Sequence, residues 1–268
     1  MAQVHDPRAI DRSPHPQRVI HSMRALGKNG LPGTFAIAGK TYRLHRSVKH
    51  DFLAATGFYT DESGKLVVLK MGRVIDYAGL PMLWLGKWLC QREAHFYRKL
   101  QDLPNIPRFI GFVGKTGFVH EYIEGQPLCK ERPIPDGFFD ELQRLLEEIH
   151  RREMAYVDTN KPQNILQGND GRPYLIDFQI SCDLHTLGDW PPGRWLLRRF
   201  QAEDLYHTLK HKRRLRPDEL TAREEEQSQR PSMLIRLHRF ITKPYFRFRR
   251  RTFSRLRETG RLLPEGSK

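Results

Sequence analysis

The chain has 268 residues, and 46 Lys and Arg residues against 31 Asp and Glu residues give it a net charge of +15. Hydrophobic residues make up 38% of the chain, which is enough to bury a core and argues against a wholly disordered protein. The longest apolar-rich run, residues 78–89, contains Lys87 and is too short to span a membrane. Three cysteines without a C-x-x-C spacing argue against a disulfide framework and against a structural zinc site.

The positive charge is concentrated towards the two ends of the sequence. Residues 1–50, 51–190 and 191–268 carry net charges of +7, −4 and +12. A slightly acidic middle segment argues against a protein that binds nucleic acid with its core. The first twenty residues contain no continuous apolar segment of the kind found in secretion signals, so we expect a cytoplasmic location.

The first half of the chain predicts an antiparallel sheet with one helix. Residues 1–32 are rich in Pro, His, Arg and Gly and predict an irregular basic arm. Strand-like segments follow from residue 33, and two more lie at 106–113 and 117–123. Between them, apolar residues recur at spacings of three, four and seven over residues 81–100, which predicts a helix. We expect a five-stranded sheet.

A second helix and a hairpin follow, and polar residues flank the hairpin. The segment FFDELQRLLEEIHRRE has the apolar periodicity of a helix. Two short apolar runs, 164–166 and 174–176, flank an Asp-Gly turn and predict a β-hairpin. Asp158 and Asn164 precede its first strand and Asp177 ends its second, so the hairpin would bring these polar groups to one rim. Such a rim could bind a metal-bound polyphosphate.

The stretches AYVDTNKPQNIL and PYLIDFQIS resemble the catalytic loop and the D-F-G segment of the protein-kinase-like superfamily. The resemblance implies that Asp158 is the catalytic base and that Asn164 and Asp177 are magnesium ligands. It also implies that Lys161 contacts the transferred phosphoryl group.

The upstream sequence fits the same resemblance. VVLK places Lys70 at the end of a strand, where the family has its phosphate-binding lysine, and Glu93 lies in the following helix, where the family has the glutamate that pairs with it. The helical neighbour of Glu93 at i+4 is Tyr97, which forms no salt bridge, so pairing with Lys70 is favoured. FVHEYIEG resembles the hinge, which implies that backbone groups near Glu121 to Ile123 contact adenine. The implied cofactors are ATP and Mg²⁺.

Several departures indicate a compact, atypical member of the superfamily. There is no G-x-G-x-x-G, and the corresponding segment FLAATGFYT contains only Gly57; the catalytic loop reads Tyr-Val-Asp, and Gln179 replaces the glycine of D-F-G. The chain is similar to RIO-type serine/threonine kinases and to bacterial lipopolysaccharide-core kinases. This resemblance implies a bilobal α+β fold with a reduced, mostly helical C-lobe. We expect an N-lobe with hinge over residues 33–125, a C-lobe over 126–220 and a basic tail over 221–268.

The resemblance implies transfer of the γ-phosphoryl group of ATP to a Ser or Thr hydroxyl of a protein. The alternative acceptor is a lipopolysaccharide-core sugar hydroxyl at the inner membrane. A pseudokinase scaffold or a nucleic-acid-binding module is the second alternative, because the phosphate loop and Gln179 are irregular.

Two further expectations concern the helix predicted after the hairpin. Asp204 resembles the aspartate that braces the catalytic loop in this superfamily, and its alternative is an ordinary solvated carboxylate. His150, His207 and His211 lack the spacing of a metal site, and we expect them to be exposed.

The C-terminal segment is strongly basic. Residues 230–257 contain ten Arg or Lys residues, no acidic residue and several interleaved aromatics. Apolar residues at 234, 237 and 241 give it an amphipathic face, so we expect peripheral attachment to the anionic inner face of the cell membrane. Packing on the C-lobe is an equal alternative, and nucleic acid is a less favoured partner.

Overall fold

The structure, a computed structural model, describes residues 21–229 of the chain. The N-terminal arm up to residue 20 and the basic tail from residue 230 lie outside the described residues, so the expectations for them stay predictions. The described residues form a bilobal α+β fold, with an antiparallel sheet and one helix in the first lobe and a mostly helical second lobe.

The first lobe is built on an antiparallel sheet with the strand order β1-β2-β3-β4-β6-β5. Its elements are β1 (Thr34–Ile37), β2 (Lys40–His50), β3 (Ala54–Thr60), β4 (Leu66–Gly72), α1 (Leu83–Lys99), β5 (Phe109–Val113) and β6 (Gly117–Glu121). Within the described part of the chain this sheet has six strands, so the expected number of five was wrong. The additional strand, β1, forms a tight hairpin with β2 around Ala38 and Gly39, both of which have positive φ.

The alternating pattern of the strands gives the sheet one buried face. In β3 every second residue is buried, as expected for a strand with one face against a core. The cluster on this side contains Phe35, Tyr42, Tyr59, Val67, Leu69 and Val119. Lys70 in β4 pairs with Thr56 of β3 and Phe118 of β6, so its backbone is fixed in the middle of the sheet.

Helix α1 packs closely against the end of β4. A Cβ on Gly86 would lie 1.9 Å from the carbonyl oxygen of Arg73, and a Cβ on Gly72 would lie 2.7 Å from the carbonyl oxygen of Gly86. The two backbones approach to a distance that only glycine permits at these positions. This contact positions the next turns of α1, which carry Glu93 and Tyr97, beside the sheet.

The second lobe contains α2 and a long helix α4 around a set of short strands. Its elements are β7 (Gly125–Pro127), α2 (Phe138–Arg151), β8 (Met154–Ala155), β9 (Ile165–Gly168), β10 (Pro173–Leu175), β11 (Cys182–Asp183), α3 (Leu184–Leu187), α4 (Pro191–Leu215) and α5 (Ala222–Gln229). One face of α2 is buried in a core that also includes Phe96 and Tyr97 of α1, so the two lobes share packing. Across residues 21–229, the helices are all too short or too polar to cross a bilayer.

The contact between α1 and β4 leads to a prediction about stability. We expect Gly86→Ala to lower the free energy of unfolding by about 2 kcal/mol, because a methyl group would overlap a backbone carbonyl, and the better helix propensity of Ala offsets only part of this loss. Urea denaturation measures the effect. Gly30→Ala is the matched control, because a Cβ there meets no atom within 4 Å. Equal stability of the two variants would contradict the close approach.

Candidate active site

The hairpin of β9 and β10 gathers three of the predicted site residues. Asn164 directly precedes β9 and Asp177 follows β10, and the N–H of Ile176 donates to the carbonyl oxygen of Asn164 at 3.1 Å. The amide Nδ2 of Asn164 donates to Oδ2 of Asp158 at 2.7 Å. The hairpin predicted from the sequence is therefore present, and it holds Asp158, Asn164 and Asp177 at one rim.

The ammonium group of Lys70 forms ion pairs with carboxylates from both lobes. Its Nζ lies 2.7 Å from Oε2 of Glu93 and 2.8 Å from Oδ1 of Asp177. The side chain of Glu93 is 3% exposed and that of Lys70 is 13% exposed, so the pair is shielded from water. The ion pair between Lys70 and Glu93 that the sequence predicts is confirmed, and the structure adds Asp177 as a second carboxylate.

The titration of these groups follows from burial and from their neighbours. Burial disfavours the ammonium of Lys70, but Glu93 and Asp177 outweigh it and raise the pKa of Lys70. Burial raises the pKa of Glu93 to about 7, although the charge of Lys70 opposes this shift. For Asp177, the charge of Lys70 outweighs burial and lowers the pKa. Asp177 is therefore an ionised carboxylate at neutral pH.

Asp158 has the opposite shift. Burial raises its pKa, and hydrogen bonds from Lys161 and Asn164 only partly compensate. Nζ of Lys161 lies 2.6 Å from Oδ2 of Asp158 and is half exposed. Asp158 and Asp177 thus lie at one rim with pKa values shifted in opposite directions. This difference suits them to different roles, because Asp158 can accept a proton and Asp177 can bind a cation.

Asp204 braces the segment that carries Asp158. It is fully buried in α4 and accepts hydrogen bonds from the backbone N–H groups of Tyr156 and Val157, both at 2.8 Å, and from Oγ1 of Thr159 at 3.1 Å. Val157 has a φ of +71°, a conformation that is strained for a β-branched residue. The two carboxylate oxygens of Asp204 therefore hold a strained backbone directly before Asp158.

The expectation that His150, His207 and His211 are exposed was wrong. His207 and His211 are buried in α4, and Nε2 of His211 forms a hydrogen bond with the carbonyl oxygen of Thr159 at 2.9 Å. The side chain of His150 is 12% exposed, and its Nε2 lies 3.2 Å from Asp204. His211 thus faces residues 156–159 because α4 packs with that side against them, and His150, which lies in α2, contacts α4 through Asp204.

An aromatic column that sequence reasoning missed connects the lobes beside the Lys70 site. The ring of Phe178 makes edge-on contacts with Tyr97 of α1, at 4.9 Å, and with Tyr156, at 5.2 Å. The hydroxyl of Tyr97 accepts the N–H of Asp177 at 3.1 Å, and the hydroxyl of Tyr156 donates to the carbonyl oxygen of Ile176. Tyr156 stands where the sequence departs from His-Arg-Asp, and that departure was the available signal for its role.

A cleft of about 590 Å³ lies between the lobes and is lined by six of the eight predicted site residues. Its walls include Lys70, Glu93, Glu121, Ile123, Asn164 and Asp177. Apolar side chains of Val68, Leu166 and Ile176 line the same cleft and can sandwich a planar ring. Asp158 and Lys161 are not among the residues that line this cleft; Asp158 is connected to it through the hydrogen bond from Asn164, and Lys161 through its ion pair with Asp158.

The turn over the cleft differs from the expected segment. It consists of residues 51–53 between β2 and β3, and Gly57 lies within β3, where a Cβ would lie 2.6 Å from Leu31. Oδ1 of Asp51 accepts the N–H groups of Leu53 and Ala54, both at 2.8 Å. The buried guanidinium of Arg73 donates to the carbonyl oxygen of Phe52 at 2.8 Å and lies 4.0 Å from the centroid of the Phe52 ring. A carboxylate and a guanidinium therefore fix this turn.

His120, another residue that sequence reasoning missed, lies at the inner end of the cleft. Its ring stacks on Tyr97 at 4.7 Å, and Nδ1 forms a hydrogen bond with the carbonyl oxygen of Glu121 at 2.8 Å. Because a carbonyl oxygen only accepts, Nδ1 carries the proton. Burial lowers the pKa of His120 to about 4, so the ring is neutral and Nε2 is an acceptor.

Asn164 and Asp177 fit a magnesium ion. Only Oδ1 of Asp177 bonds to Lys70, and the amide nitrogen of Asn164 bonds to Asp158, which leaves one oxygen of each side chain for a cation. Magnesium usually takes one or two protein ligands and completes its shell with water and phosphate oxygens. Among residues 21–229, no group of three or more His, Cys, Asp or Glu forms a metal cluster.

Comparison with solved structures identifies the fold. The chain is similar to the Rio2 kinase of Chaetomium thermophilum, solved as an ADP/Mg²⁺-phosphoaspartate complex, with a TM-score of 0.50 and 17% identity over 69% of this chain and 61% of that one. It is also similar to the BubR1 kinase domain, with a TM-score of 0.50 and 18% identity over 77% of this chain and 70% of that one. The chain thus spans less than two thirds of the Rio2 kinase. No protein-family model matches the sequence, and no curated protein matches it. The fold is of the atypical protein-kinase-like type.

The bracing by Asp204 leads to the second prediction. We expect Asp204→Asn to lower the free energy of unfolding by about 3 kcal/mol, because an amide group would face buried N–H donors that now have an acceptor. Urea denaturation measures the loss. Asp218→Asn is the control, because that carboxylate is exposed and its ion pair with Arg216 contributes little. If both variants were as stable as the wild type, the bracing role would be wrong.

Proposed function

We propose that the protein is an ATP- and Mg²⁺-dependent phosphotransferase that transfers the γ-phosphoryl group to an alcohol hydroxyl. The observation that carries the proposal is the position of Lys70 between Glu93 and Asp177 at the wall of a cleft that also contains Asn164. A cation held in this way suits the phosphates of a nucleotide, because its charge is fixed before they bind. The Rio2 kinase, which has the same type of fold, was solved with ADP and Mg²⁺.

Each site residue has a role that its surroundings support. Lys70 binds the α- and β-phosphates, and Glu93 fixes its ammonium. Asp177 and Asn164 hold Mg²⁺, which neutralises charge on the phosphates when it is bound. Asp158 accepts the proton of the attacking hydroxyl, and its raised pKa favours this task over cation binding. Lys161, half exposed beside Asp158, contacts the transferred phosphoryl group.

The acceptor we propose first is a Ser or Thr hydroxyl of a protein. The second candidate is a sugar hydroxyl of a lipopolysaccharide-core precursor. One observation favours the second candidate: only residues 178–190 separate Asp177 from α4, and Cys182 and Asp183 in this segment pair with β8. Little chain therefore remains to form a platform for an extended peptide. Incubation with labelled ATP and either total protein or a lipid extract distinguishes the two acceptors.

The catalytic assignment is tested by removing single charges. We expect Asp177→Ala to lower the rate of phosphoryl transfer by at least about 100-fold. Mg²⁺ would lose the carboxylate of the proposed site and keep only the neutral amide of Asn164. The fold should remain, since Lys70 keeps Glu93 as a buried partner. We expect similar losses for Lys70→Met and Asp158→Asn, measured as label transferred from ATP.

The control for these variants is Asp170→Asn, in the turn of the same hairpin, where the carboxylate bonds to Tyr174 and not to any site residue. Retained transfer in Asp177→Ala would overturn the assignment of the metal ligand. A wild-type protein that Mg-ATP does not stabilise against thermal unfolding would instead support the scaffold alternative.

The tautomer of His120 leads to a prediction about the base. The 6-amino group of adenine is a donor and can bond to Nε2, whereas the 6-oxygen of guanine is an acceptor and would repel it. We expect His120→Leu to reduce the ratio of kcat/KM for ATP over GTP by about tenfold, the value of one hydrogen bond. An unchanged ratio would show that His120 does not discriminate between adenine and guanine.

A further inference from the structure

One side of the first two turns of α1 exposes large apolar side chains. Leu80, just before the helix, is 64% exposed, and Trp84 and Trp88 are 63% and 49% exposed. Together with Leu83 and Lys87 they form one surface, which we call the tryptophan surface. Trp84 and Trp88 are one turn apart and therefore lie on the same side of the helix. Exposed apolar side chains clustered at one site mark an interaction surface.

This surface adjoins the mouth of the cleft. The guanidinium of Arg92 lies 5.2 Å from the centroid of the Trp88 ring and donates to the carbonyl oxygen of Ser181 at 2.6 Å. Ile180, the residue before Ser181, is 45% exposed, and Gln179 lines the cleft itself. The tryptophan surface and the cleft opening are thus connected by one chain of direct contacts.

The charges around this surface favour an anionic partner. The sequence of α1 contains five basic residues, counting Lys87, Arg92, His95, Arg98 and Lys99, and a single carboxylate, Glu93. Glu93 is buried and paired with Lys70, and His95 and Lys99 lie beside the carboxylate of Asp183, so the positive charge of the outer face comes from Lys87, Arg92 and Arg98. The nearest exposed carboxylate in sequence, Asp76, accepts the N–H of Met82 at the start of the helix, at 3.3 Å.

The basic C-terminal segment of the chain is a poor occupant for this surface. Thirty-nine residues follow Gln229, but residues 230–257 contain ten Arg or Lys residues and no acidic residue. Two cationic surfaces repel each other, so charge opposes docking of this segment on α1.

We propose that the tryptophan surface binds an anionic phospholipid membrane, with Trp84 and Trp88 inserted at the level of the headgroups. Tryptophan is enriched at membrane–water interfaces because its ring is apolar and its N–H is polar. A helix that combines Trp and Leu with basic residues lies in the plane of such an interface. The membrane then lies beside the mouth of the cleft. Binding at this surface does not depend on catalysis.

Fluorescence quenching tests the insertion directly in the full chain. A Trp190→Phe/Trp195→Phe variant leaves Trp84 and Trp88 as the only fluorescent tryptophans. With vesicles of phosphatidylethanolamine and phosphatidylglycerol that carry brominated acyl chains, we expect strong quenching and a blue shift of the emission. Vesicle-bound protein with unquenched tryptophans would show that the basic tail alone binds and would overturn the proposal.

A second variant tests the contribution of the surface to affinity. We expect Trp84→Gln/Trp88→Gln to weaken binding to the same vesicles by about tenfold or more, because two exposed rings no longer leave water. Phe112→Gln, which replaces an exposed aromatic residue on β5, is the matched control and should bind as the wild type does. Thermal unfolding shows whether each variant is folded.

Sedimentation of the wild type and the double variant tests whether a second copy of the chain, rather than a membrane, binds the tryptophan surface. A monomeric wild type supports the lipid assignment. A wild-type dimer that the double substitution dissociates would overturn it, as would unchanged vesicle binding by the folded double variant.

Discussion

The architecture depends on one buried cation that two carboxylates share. Lys70 comes from the sheet, Glu93 from α1 and Asp177 from the end of the hairpin in the second lobe, and the ammonium of Lys70 contacts both carboxylates within 2.8 Å. Moving the ammonium away from both carboxylates would leave a buried charge with neither water nor a counter-ion, which is costly. The three elements must therefore keep their relative positions, and this constraint fixes the geometry of the cleft.

The rest of the fold supplies independent supports for that arrangement. Arg92 binds the carbonyl oxygen of Ser181 at 2.6 Å, and Lys99 binds Asp183 at 3.1 Å, so α1 is attached to the second lobe on both sides of Glu93. Hydrogen bonds from Thr186 and Lys99 outweigh burial and lower the pKa of Asp183 to about 2, which keeps it charged for this contact. The position of α1 is thus set by the unmodified chain itself.

Which features of the fold and the site the sequence could predict depends on how far apart the residues concerned lie in the chain. Asp158, Asn164 and Asp177 are gathered by a hairpin of local sequence, and Lys70 lies on a strand that its own residues define, so short-range patterns were sufficient for them. The contacts of Tyr97 and His120 depend on packing between distant segments, which no local pattern encodes. The same reason explains the wrong expectation for the histidines of α4, because only the docking of that helix decides which of its sides is buried. The segment FAIAG, which forms β1, has a strand-like pattern of its own, so the error in the predicted sheet lay in the count of five strands and not in the local pattern.

The two sides of helix α1 differ in their surroundings. Its inner side contains Glu93 and Tyr97, which contact Lys70 and Asp177, and it is buried. Its outer side contains Trp84, Lys87 and Trp88, and both tryptophans are exposed. The ion pairs that hold the inner side against both lobes also fix the direction of the outer side. Whatever binds the outer side is therefore held at a constant distance from the cleft and from the residues that line it.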